Sequence, residues 1–523
     1  MTRREFMRVG ATATMAAMGG LATASERTPR RRPNFLIILA DDLGFSDIGC
    51  YGGEIATPNL DRLAGNGIRF THAYSAARCC PSRAALLTGL NPHQAGMGGM
   101  VVQPDEASSP GPYQGYLNNR CITIAEVLRE ANYSTYMSGK WHVGEAPEHW
   151  PRRRGFDRYY GLISGASSYF EILEEERNRR SMALDDTRIW PEGDHFYMTD
   201  AFTDFAVQCI KEHPEEKPFL LYLAYTAPHW PLHAWPEDIA KYRGKYLKGW
   251  DRLRQERYER LVNMGIIDPR WKLSPRDPEV PPWDDVPDKE EMDLRMAVYA
   301  AMIDRMDQGI GRVLEALQAR QLAENTVVMF LSDNGGCHED VRKRNLHKPG
   351  TRTGERGSFV SYGRPWSNAS NTPFRLHKHW VHEGGIATPF IVHWPAGVKR
   401  KGDLVHRITH ITDILPTCLE LAGVNYPRTY RGNDIQPTVG KSFAGLLRGG
   451  RVETHDRLYW EHMGNKAIRD GHWKLVATKT GEWELYNMQE DRTELEDLST
   501  REPKRAAKLL RAWEDWAHET GVV

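Results

Sequence analysis

The sequence has no excess charge of either sign: 69 Lys and Arg stand against 69 Asp and Glu. A protein held to nucleic acid by a basic surface shows a clear cationic surplus, so no nucleic-acid partner is expected. Cysteine is scarce, seven in 523 residues, which excludes a disulfide scaffold. No run of about 18 uninterrupted apolar residues occurs, so no integral membrane span is expected. Internal repeats are missing as well. What is abundant is material for a core. Sixteen Trp, 21 Tyr and 15 Phe within a composition that is 40% hydrophobic describe a globular chain, long enough for more than one domain.

Residues 1–24 differ from the rest. They open Thr2-Arg3-Arg4-Glu5-Phe6-Met7, continue through Ala, Gly and Thr, and end Ala22-Thr23-Ala24. A basic head, a mildly apolar middle and an A-x-A end read as a bacterial export signal, and the Arg3-Arg4 pair resembles the twin-arginine class. A disordered basic terminus is the alternative. Cleavage after Ala24 removes Arg3, Arg4, Arg8 and Glu5 and leaves 523 − 24 = 499 residues with a net charge of −2. The expected location is periplasmic or secreted.

From Pro33 onward, short apolar runs alternate with helical patterns. Phe35–Ala40, Phe219–Ala224 and Val327–Leu331 are continuous apolar runs, as for strands buried on both faces. Helices are expected at Asn59–Ala64, Ile122–Ala131, Thr199–Glu212 and Met292–Ala319. The last places Leu294, Val298, Met302, Met306, Ile310 and Leu314 on one face. This alternation predicts an α/β fold with a mainly parallel sheet between helices. Residues 235–290 read as a surface insertion, helical at Asp251–Met264, and Val341–Asn371 as a long Gly- and Arg-rich loop. The catalytic α/β domain is expected over 25–429. A small C-terminal antiparallel α+β domain follows over 430–523, with strands near Arg457, Lys466, Trp473 and Glu482 and a helix at Pro503–Glu519.

Ligands of open α/β sheets gather beyond the carboxyl ends of the strands. Asp41-Asp42 follow the first apolar run and Asp333-Asn334 follow Val327–Leu331. Pro228-His229 come after Phe219–Ala224, and Tyr133–Met137 leads to Lys140-Trp141-His142. Taken singly, each acidic pair is ordinary turn chemistry. Both pairs, after matched strands, make an all-oxygen donor set suited to Ca²⁺ or Mg²⁺. Lys140 and His142, two apart in extended chain, share a side: a cationic clamp and a proton carrier.

The most distinctive string is Arg78-Cys79-Cys80-Pro81-Ser82-Arg83, running on to Thr88-Gly89. A Cys-x5-Arg phosphatase loop fails because positions 85 and 86 are Ala and Leu. A zinc pair fails because the cysteines are not spaced. A vicinal disulfide would be strained. Cys79-x-Pro81-Ser82-Arg83 with Ala84–Gly89 resembles the type I sulfatase signature. Tyr133–His142 resembles that family's second signature, Asp41-Asp42 and Asp333-Asn334 its calcium motifs, and Asn371–Arg375 through Lys378 to Thr388-Pro389 its late lysine motif. The resemblance runs from about Pro33 to the C-terminus and is most like bacterial arylsulfatases.

That resemblance implies an alkaline-phosphatase-like sandwich and sulfate-ester hydrolysis. It implies that Cys79 is oxidised to Cα-formylglycine by a maturation enzyme, and that the hydrated aldehyde is the nucleophile beside Ca²⁺ held by Asp41, Asp42, Asp333, Asn334 and residue 79. His142 would be the base that expels sulfate. His229 with Lys378 would serve the leaving oxygen, while Lys140 and Arg83 would hold oxygens of the gem-diol and sulfate. Modification needs an accessible thiol and so precedes folding, which for a twin-arginine substrate means before export. The substrate is expected to be a sulfated small molecule or glycan. The alternatives are a phosphonate or phosphate-ester hydrolase of the same fold and a non-catalytic binder of sulfated glycans.

Overall fold

The computed structural model describes residues 31–103 and 105–523; the segment read as an export signal lies outside them. Its centre is a ten-stranded sheet. The strands are β1 Asn34–Ala40, β2 Ile68–Tyr74, β3 Ser134–Gly139, β4 Arg158–Leu162, β5 Met182–Leu184, β6 Thr187–Ile189, β7 Phe219–Ala224, β8 Thr326–Ser332, β9 Phe390–His393 and β10 Asp403–His410. Their order is β10-β2-β9-β8-β1-β7-β3-β4-β5-β6. The middle strands β8, β1, β7, β3 and β4 pair in parallel, while β9 runs against both of its neighbours.

Alternate residues of β1 enter opposite cores. Leu36, Ile38 and Ala40 pack with the helices Lys289–Ala319 and Met198–Glu212. Phe35, Ile37 and Leu39 pack with the helix Cys79–Thr88 through Ala84, Ala85, Leu86 and Leu87. Both faces of the middle strands β1, β7 and β8 are dry, which explains why they read as continuous apolar runs rather than alternating ones. All seven cysteines are buried and free.

Beyond the sheet come a two-stranded ribbon, β11 Thr429–Tyr430 and β12 Asn433–Asp434, and an antiparallel sheet of β13 Arg457–His462, β14 Asn465–Asp470, β15 Trp473–Ala477 and β16 Glu484–Asn487. The helix Pro503–Thr520 covers this sheet, setting Leu509, Trp513 and Trp516 on Ile468, Leu475 and Leu485.

Three local expectations change. Segment 235–290 is no surface appendage: Tyr246, Trp250, Leu253 and Leu261 join the core of the large sheet. Its buried Arg257 reaches Asp47 at 2.7 Å and Glu54 at 2.9 Å. The aromatic anchors are irregularly spaced, so no periodicity shows them. The stretch 341–371 is not loop throughout, because Gly363–Ser370 is helical and buries Trp366 and Ala369. Finally, the antiparallel sheet starts at Arg457, and Phe443 and Leu447 before it belong to the core of the large sheet. Residues 32–523 cluster as one compact unit.

Candidate active site

The strands β8, β1, β7 and β3 are neighbours and parallel, so their carboxyl ends open on one edge. Each delivers polar residues there. Asp41-Asp42 leave β1, Asp333-Asn334 leave β8, Lys140 and His142 leave β3, and His229 follows β7. The helix Cys79–Thr88 begins at the same edge with Cys79 in its first turn and Arg83 one turn on. Lys378 arrives from the segment after the helix Gly363–Ser370, its backbone N–H bound to the Gly336 carbonyl at 3.1 Å.

The backbone is shaped to present these groups. Asp42 (φ +66°) and His142 (φ +57°) sit in the left-handed region, which costs roughly 1–3 kcal/mol at each position and marks a conformation imposed by its surroundings. Gly139, just before Lys140, has φ +112°, and a Cβ there would lie 1.9 Å from the Ala224 carbonyl oxygen. No other residue lets β3 turn so close to β7.

The side chains interlock without reaching water: Asp41, Arg83, Lys140, Asp333 and Asn334 are 0% exposed, and Asp42 and Lys378 1%. Lys140 Nζ donates to Asp41 Oδ2 at 2.5 Å. Arg83 Nη2 donates to Asp333 Oδ2 at 2.8 Å and lies 3.6 Å from Asp41 Oδ2. Lys378 Nζ donates to Asp42 Oδ2 at 2.8 Å and lies 3.2 Å from His229 Nε2. His229 Nδ1–H donates to the Trp230 carbonyl at 2.7 Å, which leaves Nε2 as an acceptor. Asn334 Nδ2 donates to Asp42 Oδ1 at 2.7 Å. Cys79, Cys80 and His142 bring one donor atom each within 4.8 Å of one another, with Cys80 Sγ 3.3 Å from His142 Nε2. The structure thus brings together all ten positions singled out from sequence, Cys79 serving in both expected sets.

Two buried oxygens in this cluster have no hydrogen-bond donor, Asp41 Oδ1 and Asn334 Oδ1. Burial, then the neighbouring Asp333 carboxylate, push Asp41 up to about 7 against the pull of Lys140. Burial also raises Asp333. Asp42 goes the other way, because Lys378 and His229 outweigh its burial. An all-oxygen set with unpartnered oxygens and strained carboxylates is chemistry that a hard divalent cation fits. On the other side of the cluster, burial holds His142 down at about 3, so the imidazole is neutral at physiological pH. The Cys79 thiol is lowered by a hydrogen bond from Cys80 and, against its burial, by Lys140 and His142.

Sequence reasoning missed the flank of this site. Glu339 pairs with Arg78 at 2.9 Å and accepts from Trp230 Nε1 at 2.9 Å. The adjacency of Arg78 to Cys79 and of Trp230 to His229 was the available signal.

The sulfatase family model matches residues 33–424, and the N-sulphoglucosamine sulphohydrolase C-terminal model matches 374–512. The chain is 36% identical to an uncharacterized sulfatase of Schizosaccharomyces pombe over 95% of this chain and 96% of that one. It is 34% identical to an arylsulfatase of Klebsiella aerogenes over 82% and 94%. Among solved structures, Ps i-CgsB in complex with k-i-k-neocarrahexaose aligns with a TM-score of 0.68 at 26% identity, over 93% of both chains.

Proposed function

The chain belongs to the type I sulfatase family and is a sulfuric ester hydrolase, and from that premise we propose that it cleaves aryl or carbohydrate sulfate esters at residue 79, oxidised to formylglycine, with Ca²⁺ in the Asp41–Asp42–Asp333–Asn334 oxygen cluster. The observation that carries this reading is the convergence of four strand ends on Cys79 at the start of a helix. When present, formylglycine supplies a hydrated aldehyde oxygen as nucleophile, and Ca²⁺ supplies fixed positive charge for the sulfuryl oxygens.

The chain's own residues do the rest. Arg83 and Lys140 bind sulfuryl oxygens, and both are locked in place by Asp333 and Asp41, so they need no reorganisation as charge develops. Three cations, Arg83, Lys140 and Lys378, face three carboxylates, which keeps this dense cluster near neutrality before substrate enters. Burial keeps His142 neutral, and its Nε2, turned toward residues 79 and 80, would accept a proton from residue 79 in its hydrated aldehyde form. On the opposite side Lys378 stays charged, because Asp42 overcomes its burial. Its Nζ, with His229 Nε2 beside it, delivers the proton to the departing alcohol or phenol oxygen.

Cys79 is 2% exposed. A maturation enzyme therefore has to meet it before the chain folds, and a twin-arginine route would place that step in the cytosol, ahead of delivery to the periplasm. The test is turnover of an aryl sulfate, a sulfated oligosaccharide and an aryl phosphonate by protein co-produced with a formylglycine-generating enzyme. Sulfate release that chelation abolishes and Ca²⁺ restores is expected, with the phosphonate far slower. Preference for the phosphonate, or binding of sulfated glycan without turnover, would overturn the reading.

A further inference from the structure

Lys378, Lys140 and Arg83 are absorbed by the catalytic cluster, but a second group of cations stands beside it. The His229 and Trp230 rings lie 4.5 Å apart. The Trp230 indole donates to one oxygen of Glu339, and Arg78 pairs with the other. That carboxylate is fully engaged: burial would raise it, but Lys378 and Arg78 hold it well below the usual range. Over the Trp230 ring lies the guanidinium of Arg344, 4.5 Å from the centroid. Trp230 is only 7% exposed, whereas Arg344 faces solvent.

Among the described residues no carboxylate lies within ion-pair distance of Arg344 and no acceptor takes a hydrogen bond from its side chain; stacking on Trp230 is its contact. Its charge is disfavoured by partial burial and by nearby Arg180, which outweigh Glu339 and Glu176. Arg180 Nε lies 3.6 Å from Glu176 Oε1, an ion pair too long for a hydrogen bond. Arg78 is taken by Glu339 and Arg180 leans on Glu176, so among these guanidiniums it is Arg344 that has surplus charge with no carboxylate of its own. The surplus falls on Arg344, whose planar fork is fixed by the ring while its N–H edges stay open to a bidentate acceptor.

Position gives this surplus a meaning. His229 and Lys378 mark the side from which the alcohol leaves, and Trp230 continues from His229. On that assignment, Trp230 and Arg344 flank the side on which the carrier of the scissile sulfate lies. We infer that Arg344, stacked on Trp230 and flanked by Arg180, is a specificity-determining residue that binds a second anionic group, a sulfate ester or a carboxylate, on the carbohydrate bearing the scissile sulfate. The substrate class is then a multiply charged saccharide rather than the sulfate of a neutral alcohol. This rests on the assignment of His229 and Lys378 to the leaving oxygen.

The experiment compares one monosulfated disaccharide with the same sugar carrying either a second sulfate or a uronate carboxylate, using the matured full chain. Wild type is expected to favour at least one dianionic sugar by about tenfold or more in kcat/KM, mostly through KM, as one charge-assisted contact would give. The preference should shrink with added salt, because Arg344 is exposed. Arg344→Ala should bring the ratio toward one, and Arg344→Lys should restore part of it, with unfolding midpoints confirming that both variants fold. A preference for the disulfated sugar alone assigns the anion as sulfate; for the uronate alone, as carboxylate. Equal kcat/KM values in wild type, or a preference that survives Arg344→Ala, would overturn the inference. Failure to hydrolyse any sulfate ester would instead strike at the proposed activity, so the two failures are told apart.

Discussion

Among the described residues, two of the buried charge clusters are built differently. One joins β15 and the segment after β16 to the large sheet. There Lys474 Nζ reaches Glu383 at 3.0 Å and Glu494 at 2.7 Å. Arg492 Nε reaches Glu383 at 2.8 Å, the Tyr74 hydroxyl donates to the same carboxylate at 3.0 Å, and the Glu383 N–H donates to Glu494 at 2.9 Å. Each carboxylate oxygen there lies within 3.0 Å of a cation or of an N–H or O–H group. Burial would raise the Glu383 carboxyl, yet Lys474 and Arg492 bring it down to about 2. The catalytic cluster is as deeply buried but open: Asp41 Oδ1 and Asn334 Oδ1 lack donors, and Asp41 is pushed up to about 7. A network that serves the fold satisfies itself. One that serves chemistry keeps donor atoms unspent for a cation and a substrate.

The sharpest way to test that difference is to remove one group from each cluster. Cys79→Ala in the open cluster should lower kcat by roughly 10⁴-fold or more, since it deletes the nucleophile. The unfolding midpoint should move little, and substantial residual turnover would break the account. Lys474→Met in the closed cluster should do the reverse. It leaves Glu383 and Glu494 buried without their shared cation, a loss of roughly 3–5 kcal/mol in denaturant unfolding, with turnover per folded molecule preserved. Unchanged stability would show that the closed network contributes nothing to the fold.

Calcium should discriminate next. At about 100 times its Kd it should stabilise the protein by roughly 2.7 kcal/mol, visible as a raised thermal midpoint. Asn334→Ala should lose that increment, and Lys474→Met should start lower yet keep it. A Ca²⁺ increment that persists in Asn334→Ala would place the ion elsewhere. The smallest effect is acid sensitivity. The Glu383 pKa is lowered from 4.5 to about 2 on folding, so its contribution is complete above pH 4.5 and lost as pH falls through about 2. Urea midpoints between those limits should fall in wild type and flatten in Lys474→Met.

The open cluster was legible in the sequence and the closed one was not. Asp41, Asp333, Lys140 and His229 each follow a short apolar run, and a parallel sheet puts such strand ends on one edge. Cys79-x-Pro81-Ser82-Arg83 is a contiguous string. Glu383, Lys474 and Arg492 belong to different elements and meet only through tertiary packing, so no spacing in the chain relates them. Glu383 was visible only as part of a motif around Lys378. The same limit hid the core role of Trp250 and Arg257, and the helix Gly363–Ser370, whose Gly-Arg-Pro start and Ser and Asn content suggest loop. Trp230 and Arg344 are more than a hundred residues apart, and only the fold stacks them.

The central claim, that residue 79 is the modified nucleophile of a sulfatase, is tested most directly by the mass of the tryptic peptide spanning residues 79–83, taken from the same preparation whose sulfate-ester turnover is measured. Active protein should carry at residue 79 the mass of an aldehyde in place of the thiol, in proportion to its specific activity. Full turnover by protein whose Cys79 is an unmodified thiol would contradict the account.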